Sequence, residues 1–341
     1  MIIVPTPETL EEALGILRKG GLIGLPTETV YGLAADANQD LAVATIFEKK
    51  KRPTFNPLII HGPSSEAFTE HVEWNEIAEV LAQAFWPGPL TLVLPRRSSS
   101  PISLLASAGL DSLAVRVPNH PIALALLEGF GKLLAAPSAN PSGKVSPTQA
   151  NHVEEDFPDL FILEGGDTIV GLESTIVDLT SNIPCLLRPG GISQEEIESI
   201  IGSLGLPSQD SIKAPGMMKS HYAPILPLRL NATCPLEGEA YLAFGPTTCE
   251  GKYVLNLSHK GDLAEAAAHL FKMLRLLDQL EVQGIAVAPI PYQGLGMALN
   301  DRLQRAAVPR GLSEKEQATQ SLMLPSITNN FAKDYGSPQL Q

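Results

Sequence analysis

The sequence predicts an α/β fold in two units: a mixed twisted sheet flanked by helices, then a smaller α/β unit. Three observations predict it. Hydrophobic residues are 44% and charged residues 18% of the 341 positions, a balance that fits a packed core and excludes disorder and a coiled coil. Short apolar runs of strand length recur among helical patterns without strict alternation, which favours a mixed sheet over a regular doubly wound one. Between Gly205 and Pro227, four prolines and several small residues break the pattern, which then restarts.

In chain order, Thr6 can cap a helix that Pro7 begins, Leu10, Ala13, Leu14 and Leu17 share one face, and Gly20-Gly21 stops it. A buried strand follows at Leu22 to Leu25. Asp40 to Lys50 reads as a helix, Leu58 to His61 as a strand and Ile77 to Phe85 as a helix. Thr91 to Leu94, Leu113 to Val117 and Leu133 to Ala136 read as strands, with a helix at Pro121 to Phe130. Strands are expected near Phe161, Ile176 and Leu186, and a helix from Gln194 to Ser203. After the break, strands at Tyr241 to Phe244, Lys252 to Leu255 and Ile285 to Ala288 accompany helices at Asp262 to Leu280 and Met297 to Ala307. The expected organisation is a first domain over 1–204, a linker over 205–228, a second domain over 229–330 and a tail over 331–341.

The net charge is −13, and residues 1–204 carry all of the excess, with 12 Lys/Arg against 25 Asp/Glu. A binder of bulk polyanions would carry the opposite sign, so any anion here must be held by a local cluster of donors. No apolar run approaches the ~20 residues that span a bilayer, and Met1-Ile2-Ile3-Val4-Pro5 has no basic leader, so neither membrane nor secretion is expected. Cys185, Cys234 and Cys249 are odd in number, far apart and without a CxxC pair. A disulfide framework is not expected, and a reducing cytoplasm is.

No P-loop, GxGxxG, HExxH or GxSxG motif is present, yet polar clusters interrupt the buried strands. Pro26-Thr27-Glu28-Thr29-Val30-Tyr31-Gly32-Leu33 puts hydroxyls and a carboxylate at a strand end, where α/β sheets bind ligands; a threonine-capped turn is the plainer reading. Lys49-Lys50-Lys51-Arg52 ends a helix, where the dipole favours cations, and Asn56 and His61 bracket the next strand. Arg116 interrupts an apolar strand, so it either pairs with an internal carboxylate or faces a cavity and holds an anion. The loop Ala136-Pro137-Ser138-Ala139-Asn140-Pro141-Ser142-Gly143-Lys144-Val145-Ser146 can bring N–H groups and hydroxyls to a phosphate, or simply cap the next helix. Ser174-Thr175-Ile176-Val177-Asp178 and Arg188-Pro189-Gly190 complete the set.

Together these motifs resemble the YrdC-like L-threonylcarbamoyl-AMP synthase family: PTETVYGL, K-x-RP-x3-PL-x2-H, WPGPLTLVL, VRVP, PSAN-x-SG, ST-x-VD and RPG, in that order over residues 1 to about 204. The segment Ala214 to Pro224 resembles the PGM-x3-HY-x-P joint of the long form, which carries an additional C-terminal domain. The resemblance implies a YrdC-like first domain and synthesis of threonylcarbamoyl-AMP and pyrophosphate from ATP, L-threonine and bicarbonate. The product would pass to tRNA threonylcarbamoyl transferase proteins for modification beside the anticodon. It implies threonine contacts from Thr29, His61, Arg116, Ala136 and Ser174. ATP contacts are implied for Arg52, Asn56, Ser112, Ser138, Ser146, Arg188 and Tyr222, with Lys50 and Arg52 acting on the phosphates. Asn140 and Ser142 share the phosphate loop, and Lys51 stands where many members have a small residue. Mg2+ would arrive with ATP, held by no protein cage, and tRNA binding by this chain is not expected. Two alternatives remain: an RNA-binding module of this fold, and a carbamoyl-adenylate enzyme with another acceptor.

Overall fold

The computed structural model describes residues 1–205, 214–215 and 221–308. Met217 and Met218 of the linker, everything beyond 308 and hence the expected tail lie outside the described residues. The first unit is a ten-stranded sheet with helices packed against it. Its strands are β1 (Ile2–Ile3), β2 (Ile23–Leu25), β3 (Gly32–Asp36), β4 (Ile59–His61), β5 (Leu90–Pro95), β6 (Ser112–Arg116), β7 (Leu134–Ala135), β8 (Phe161–Leu163), β9 (Thr175–Asp178) and β10 (Cys185–Arg188). Their spatial order is β1-β8-β2-β3-β7-β4-β6-β5-β9-β10. The sheet is mixed: β4 and β6 run parallel, as do β5 and β9, whereas β5 and β6 are antiparallel.

The helices are α1 (Pro7–Arg18), α2 (Asp40–Lys50), α3 (Glu76–Phe85), α4 (Pro121–Phe130), α5 (Ala150–Asp156) and α6 (Gln194–Ile201). Thr6 caps α1 as its sequence position predicts, accepting from the Thr9 N–H at 3.2 Å. One core, around Tyr31, Ile46, Leu92, Val115 and Val177, lies against α2, α3 and α6. A second, around Leu14, Leu17, Leu25, Leu126 and Leu134, lies under α1 and α4.

Two strands of this first unit escape the hydrophobic pattern. β1 has only two residues, and β3 is built of Gly, Leu and Ala, so neither shows the period-two signal that marks a strand.

The second unit is a four-stranded parallel sheet of order β11-β14-β12-β13, with β11 (Leu228–Arg229), β12 (Glu239–Ala243), β13 (Val254–Asn256) and β14 (Gly284–Val287). Helices α7 (Leu263–Asp278) and α8 (Gly296–Ala307) bury Leu270, Phe271, Leu274, Leu299 and Leu303. This core also takes in Val30, Val145 and Leu172 of the first unit and Tyr222 of the linker, so the two units share buried apolar surface.

The cysteine expectation needs correction. Cys234 and Cys249 form a disulfide with a Cα–Cα separation of 5.6 Å. Fifteen residues separate them in sequence, but they lie in the loops before and after β12, which the parallel sheet folds together. Among the described residues, no helix is long and apolar enough to cross a membrane.

Candidate active site

The site begins where β4 and β6 end side by side. His61 and Arg116 are direct partners across this parallel pair. The His61 Nδ1 lies 3.2 Å from the Ile59 carbonyl. A carbonyl can only accept, so Nδ1 carries the proton and Nε2 keeps its lone pair. Burial, and then the nearby Arg116 charge, push the imidazole down to about 3, so it is neutral at pH 7.

Arg116 donates through Nε to the Gly88 carbonyl at 3.2 Å, and its Nη2 lies 2.7 Å from Glu28 Oε1. Both side chains are buried. The two readings of Arg116 are therefore compatible: it pairs with an internal carboxylate and also lines the cavity. Glu28 is presented by the turn after β2. There the Thr27 hydroxyl donates to the Val30 carbonyl at 2.6 Å and so accepts from Thr29 Oγ1 at 2.9 Å. The threonines knit the turn, and Thr29 also lines the cavity.

A second group is cationic. Lys50, in the last turn of α2, donates to the carbonyls of Ser138, at 2.5 Å, and Asn140. Lys51 then takes a left-handed conformation at φ 52°, which ends the helix and turns Arg52 inward while Lys51 itself stays exposed. Arg52 donates through Nε to the Asn56 carbonyl at 3.0 Å and through Nη2 to the Pro57 carbonyl at 2.7 Å. Arg188, at the end of β10, donates through Nε and Nη2 to the Ser174 carbonyl at 3.1 and 2.9 Å, and through Nη1 to Pro215 at 3.2 Å. All three cations are buried, and every partner named here is a neutral oxygen. Burial weakens the charged form of each, most of all Lys50, and Arg52 and Arg188 also repel one another.

The linker closes the site. Pro215, His221 and Tyr222 line one cavity together with Thr29, Arg52, His61, Arg116, Ala136, Ser138, Ser174 and Arg188. Tyr222 is buried at φ 62°, a strained setting for a bulky residue, and its ring stacks on Phe271 at 5.5 Å. The Ala223 N–H donates to Gly143 at 2.9 Å and the His221 N–H to Arg305 at 3.3 Å, so the segment is tied to both units. The cavity is about 50 Å³, room for a few waters. A larger open basin of about 760 Å³ is lined by Lys49 to Lys51, Pro141 to Lys144 and Asp156 to Pro158. The chemistry-bearing side chains converge on the small cavity, so it is taken as the site.

Of the remaining expected residues, Lys50 reaches the site through the Ser138 loop, and Asn56 supplies the carbonyl that holds Arg52. Ser146 donates to Glu173 Oε1 at 2.7 Å. Asn140 is buried in its loop, where its side chain donates to Lys144 at 2.9 Å, and the Ser142 N–H donates to the Lys50 carbonyl at 2.8 Å. Ser112 does not line this cavity. It begins β6 opposite Pro95, four residues and roughly 13 Å from Arg116 at the strand's other end. The sequence reading assigned no role to Glu28, Glu173 or Arg302. Glu28 lies within the PTETVYGL motif and Glu173 directly precedes ST-x-VD, which was a usable signal; Arg302 lies in an ordinary amphipathic helix and gave none.

A family model described as "Telomere recombination" matches residues 15–190, over half of the chain, and one described as "Threonylcarbamoyl-AMP synthase, C-terminal domain" matches residues 192–308. A threonylcarbamoyl-AMP synthase of Pyrococcus abyssi is 44% identical, over 90% of this chain and 97% of its own length. One of Bacillus subtilis is 39% identical, over 87% and 92%. The crystal structure of P. abyssi Sua5 complexed with L-threonine superposes with a TM-score of 0.84 at 41% identity, over 90% of this chain and 97% of that one. Shared sequence, shared fold and an agreement that runs through both units show that the chain belongs to the threonylcarbamoyl-AMP synthase family of enzymes.

Proposed function

We propose that the chain is an L-threonylcarbamoyladenylate synthase, a nucleotidyltransferase that joins L-threonine, bicarbonate and ATP into threonylcarbamoyl-AMP and pyrophosphate. The observation that carries this reading is the trio Lys50, Arg52 and Arg188, buried cations held by neutral oxygens beside the Glu28–Arg116 pair. Buried cations whose hydrogen bonds go to neutral oxygens suit a polyphosphate, and a neutral ion pair suits a zwitterion. Threonine would set its carboxylate on Arg116 and its amine toward Glu28, with its hydroxyl donating to His61 Nε2. Thr29, the Ala136 carbonyl and Ser174 would complete that pocket. Arg52, Ser138 and Arg188 would hold the triphosphate, and Tyr222 would cover the nucleotide. Ser146 reaches it through Glu173, and Asn56 by positioning Arg52.

Once the bound ammonium has given one proton to water, the threonine nitrogen attacks the bicarbonate carbon, the next N–H proton leaves with a bicarbonate hydroxyl as water, and a carbamate results. A carbamate oxygen then attacks the α-phosphorus, and the bond to pyrophosphate breaks. No protein nucleophile is required; the residues orient the reactants and stabilise charge that moves onto phosphate oxygens. Glu28 and Glu173 are each held by an arginine, at 2.7 and 2.8 Å, which suits a Mg2+ carried in by ATP on phosphate and water oxygens. The small cavity supports a linker that opens for substrates and closes to shield a labile mixed anhydride from water. The product would be consumed by a tRNA threonylcarbamoyl transferase, a step that belongs in the cytoplasm.

Pyrophosphate release measured with each of the twenty amino acids, with and without bicarbonate, tests the reading. Release should require threonine and bicarbonate together and leave AMP in the acylated product. Turnover without threonine, or ADP as product, would overturn it. Preference for another amino acid would point to the alternative acceptor.

A further inference from the structure

Arg302 sits in α8 of the second unit, yet it is the largest fully buried side chain described and it points into the first unit. Its Nε donates to Glu173 Oε2 at 2.8 Å, its Nη2 to the Pro189 carbonyl at 3.0 Å and its Nη1 to Asp301 at 2.6 Å. Its guanidinium carbon lies over the Tyr222 ring, 5.0 Å from the centroid. Glu173 is buried, lines the cavity and accepts from Ser146 through its other oxygen at 2.7 Å. A chain of contacts therefore runs from the second unit through Arg302 and Glu173 to Ser146, with branches to the Arg188-Pro189-Gly190 turn and to Tyr222.

The carboxylate makes this arrangement informative. A bare Glu173 would stand beside the phosphates and repel them. Burial alone would push its carboxyl up, but the Arg302 and Arg188 charges and the Ser146 hydrogen bond outweigh that, and it settles at about 2. It is thus ionised, and Arg302 is its direct counter-charge.

We propose that Arg302 is a positioning residue for the nucleotide: it neutralises Glu173, which in turn orients Ser146, and it supports Tyr222 from beneath, so that the second unit completes the ATP site of the first. This rests on the proposed function and adds a task for the second unit. An arginine that merely glued the units together would need no carboxylate within the cavity.

The test is a double-mutant cycle on the full chain with Arg302→Met, Glu173→Gln and both together. KM for ATP and for threonine, equilibrium ATP binding and the urea midpoint are measured for each. Loss of one charged partner should raise KM and Kd for ATP about ten- to a hundred-fold in R302M, with threonine KM changed less than about threefold. E173Q/R302M should recover most of that loss, because no uncompensated carboxylate remains. Wild-type ATP affinity in folded R302M overturns the proposal, and so does an equal loss in the E173Q background. If R302M does not fold, Arg302→Gln, which keeps a hydrogen-bond donor opposite Glu173 but no charge, is compared in the same two backgrounds, and the absence of coupling on ATP again overturns it. A wild-type chain that binds ATP but makes no threonylcarbamoyl-AMP would sink the proposed function while leaving the cycle on ATP binding decisive. A wild-type chain that binds no ATP sinks both.

Discussion

Arg188 spends its donors on the Ser174 and Pro215 oxygens, and Arg52 on the Asn56 and Pro57 carbonyls. These contacts aim the guanidinium groups without neutralising them. Arg188→Ala should therefore weaken ATP binding about ten- to a hundred-fold and threonine binding less, measured by titration with each ligand. Unchanged ATP affinity would remove Arg188 from the phosphate site. A pH prediction follows from three buried histidines. His61, His152 and His221 sit at about 3, 4 and 3 when folded, against 6.5 when exposed, and burial is the main cause for each. Below 6.5 the unfolded chain binds protons that the folded chain refuses, so their contribution to stability is complete above 6.5 and declines as pH falls towards 3 and 4. The slope is about 1.4 kcal/mol per pH unit for each histidine in that window. Glu173 acts lower: its value of about 2 against 4.5 adds stability above 4.5 that is lost as pH falls towards 2. Urea midpoints between pH 7 and 5 should fall, and His152→Gln should flatten the fall. A level midpoint over that range contradicts the assignment.

At the scale of elements, the turn after β10 is a tight point of the site. A Cβ on Gly190 would lie 2.4 Å from the Glu173 carbonyl oxygen and equally close to the backbone of Ser174 and Thr175. Backbone cannot swing aside as a side-chain tip can, so Gly190→Ala must part β9 from β10 and carry Arg188 away from Ser174. A stability loss of about 1–3 kcal/mol or more is expected, together with reduced ATP binding in whatever remains folded. An unaltered urea midpoint and ATP affinity would show that the strands adjust freely. Most elements were legible because each carries its own signal. α2 and α4 follow their predicted bounds, Asp40–Lys50 and Pro121–Phe130, since a helical stripe and a terminating residue are local. β3 was not legible: its alanines and glycine show no strand preference and are held extended by β2 and β7 on either side.

Across the whole molecule, the disulfide and the shared core bear on how the units hold together. The Cys234–Cys249 bridge closes a loop of fifteen residues, worth about 3 kcal/mol by the chain-entropy estimate. No site residue lies within that loop. Reductant should lower the urea midpoint of the second unit and leave pyrophosphate release intact; equal stability with and without reductant would mean that the bridge does not form in solution, as a reducing cytoplasm would favour. What the sequence determined by itself is local or strictly ordered along the chain: helices with caps, apolar strands, the break near 205–227, and a series of motifs whose order carries the family resemblance. Thr29, His61 and Arg188 stand at the ends of buried strands, where polar groups are costly without a use, and Arg52 just past a helix, but their ligand roles came from the resemblance of the ordered motifs. What only the tertiary structure decided is partnership over long separations. Glu28 meets Arg116, Cys234 meets Cys249, and Arg302 crosses from one unit to Glu173 of the other. Ser112 belongs here as well, because only the strand's direction puts it at the far end from Arg116. The physical reason is that burial and charge compensation depend on which surfaces close over one another, and residue type and spacing hold no record of that closure.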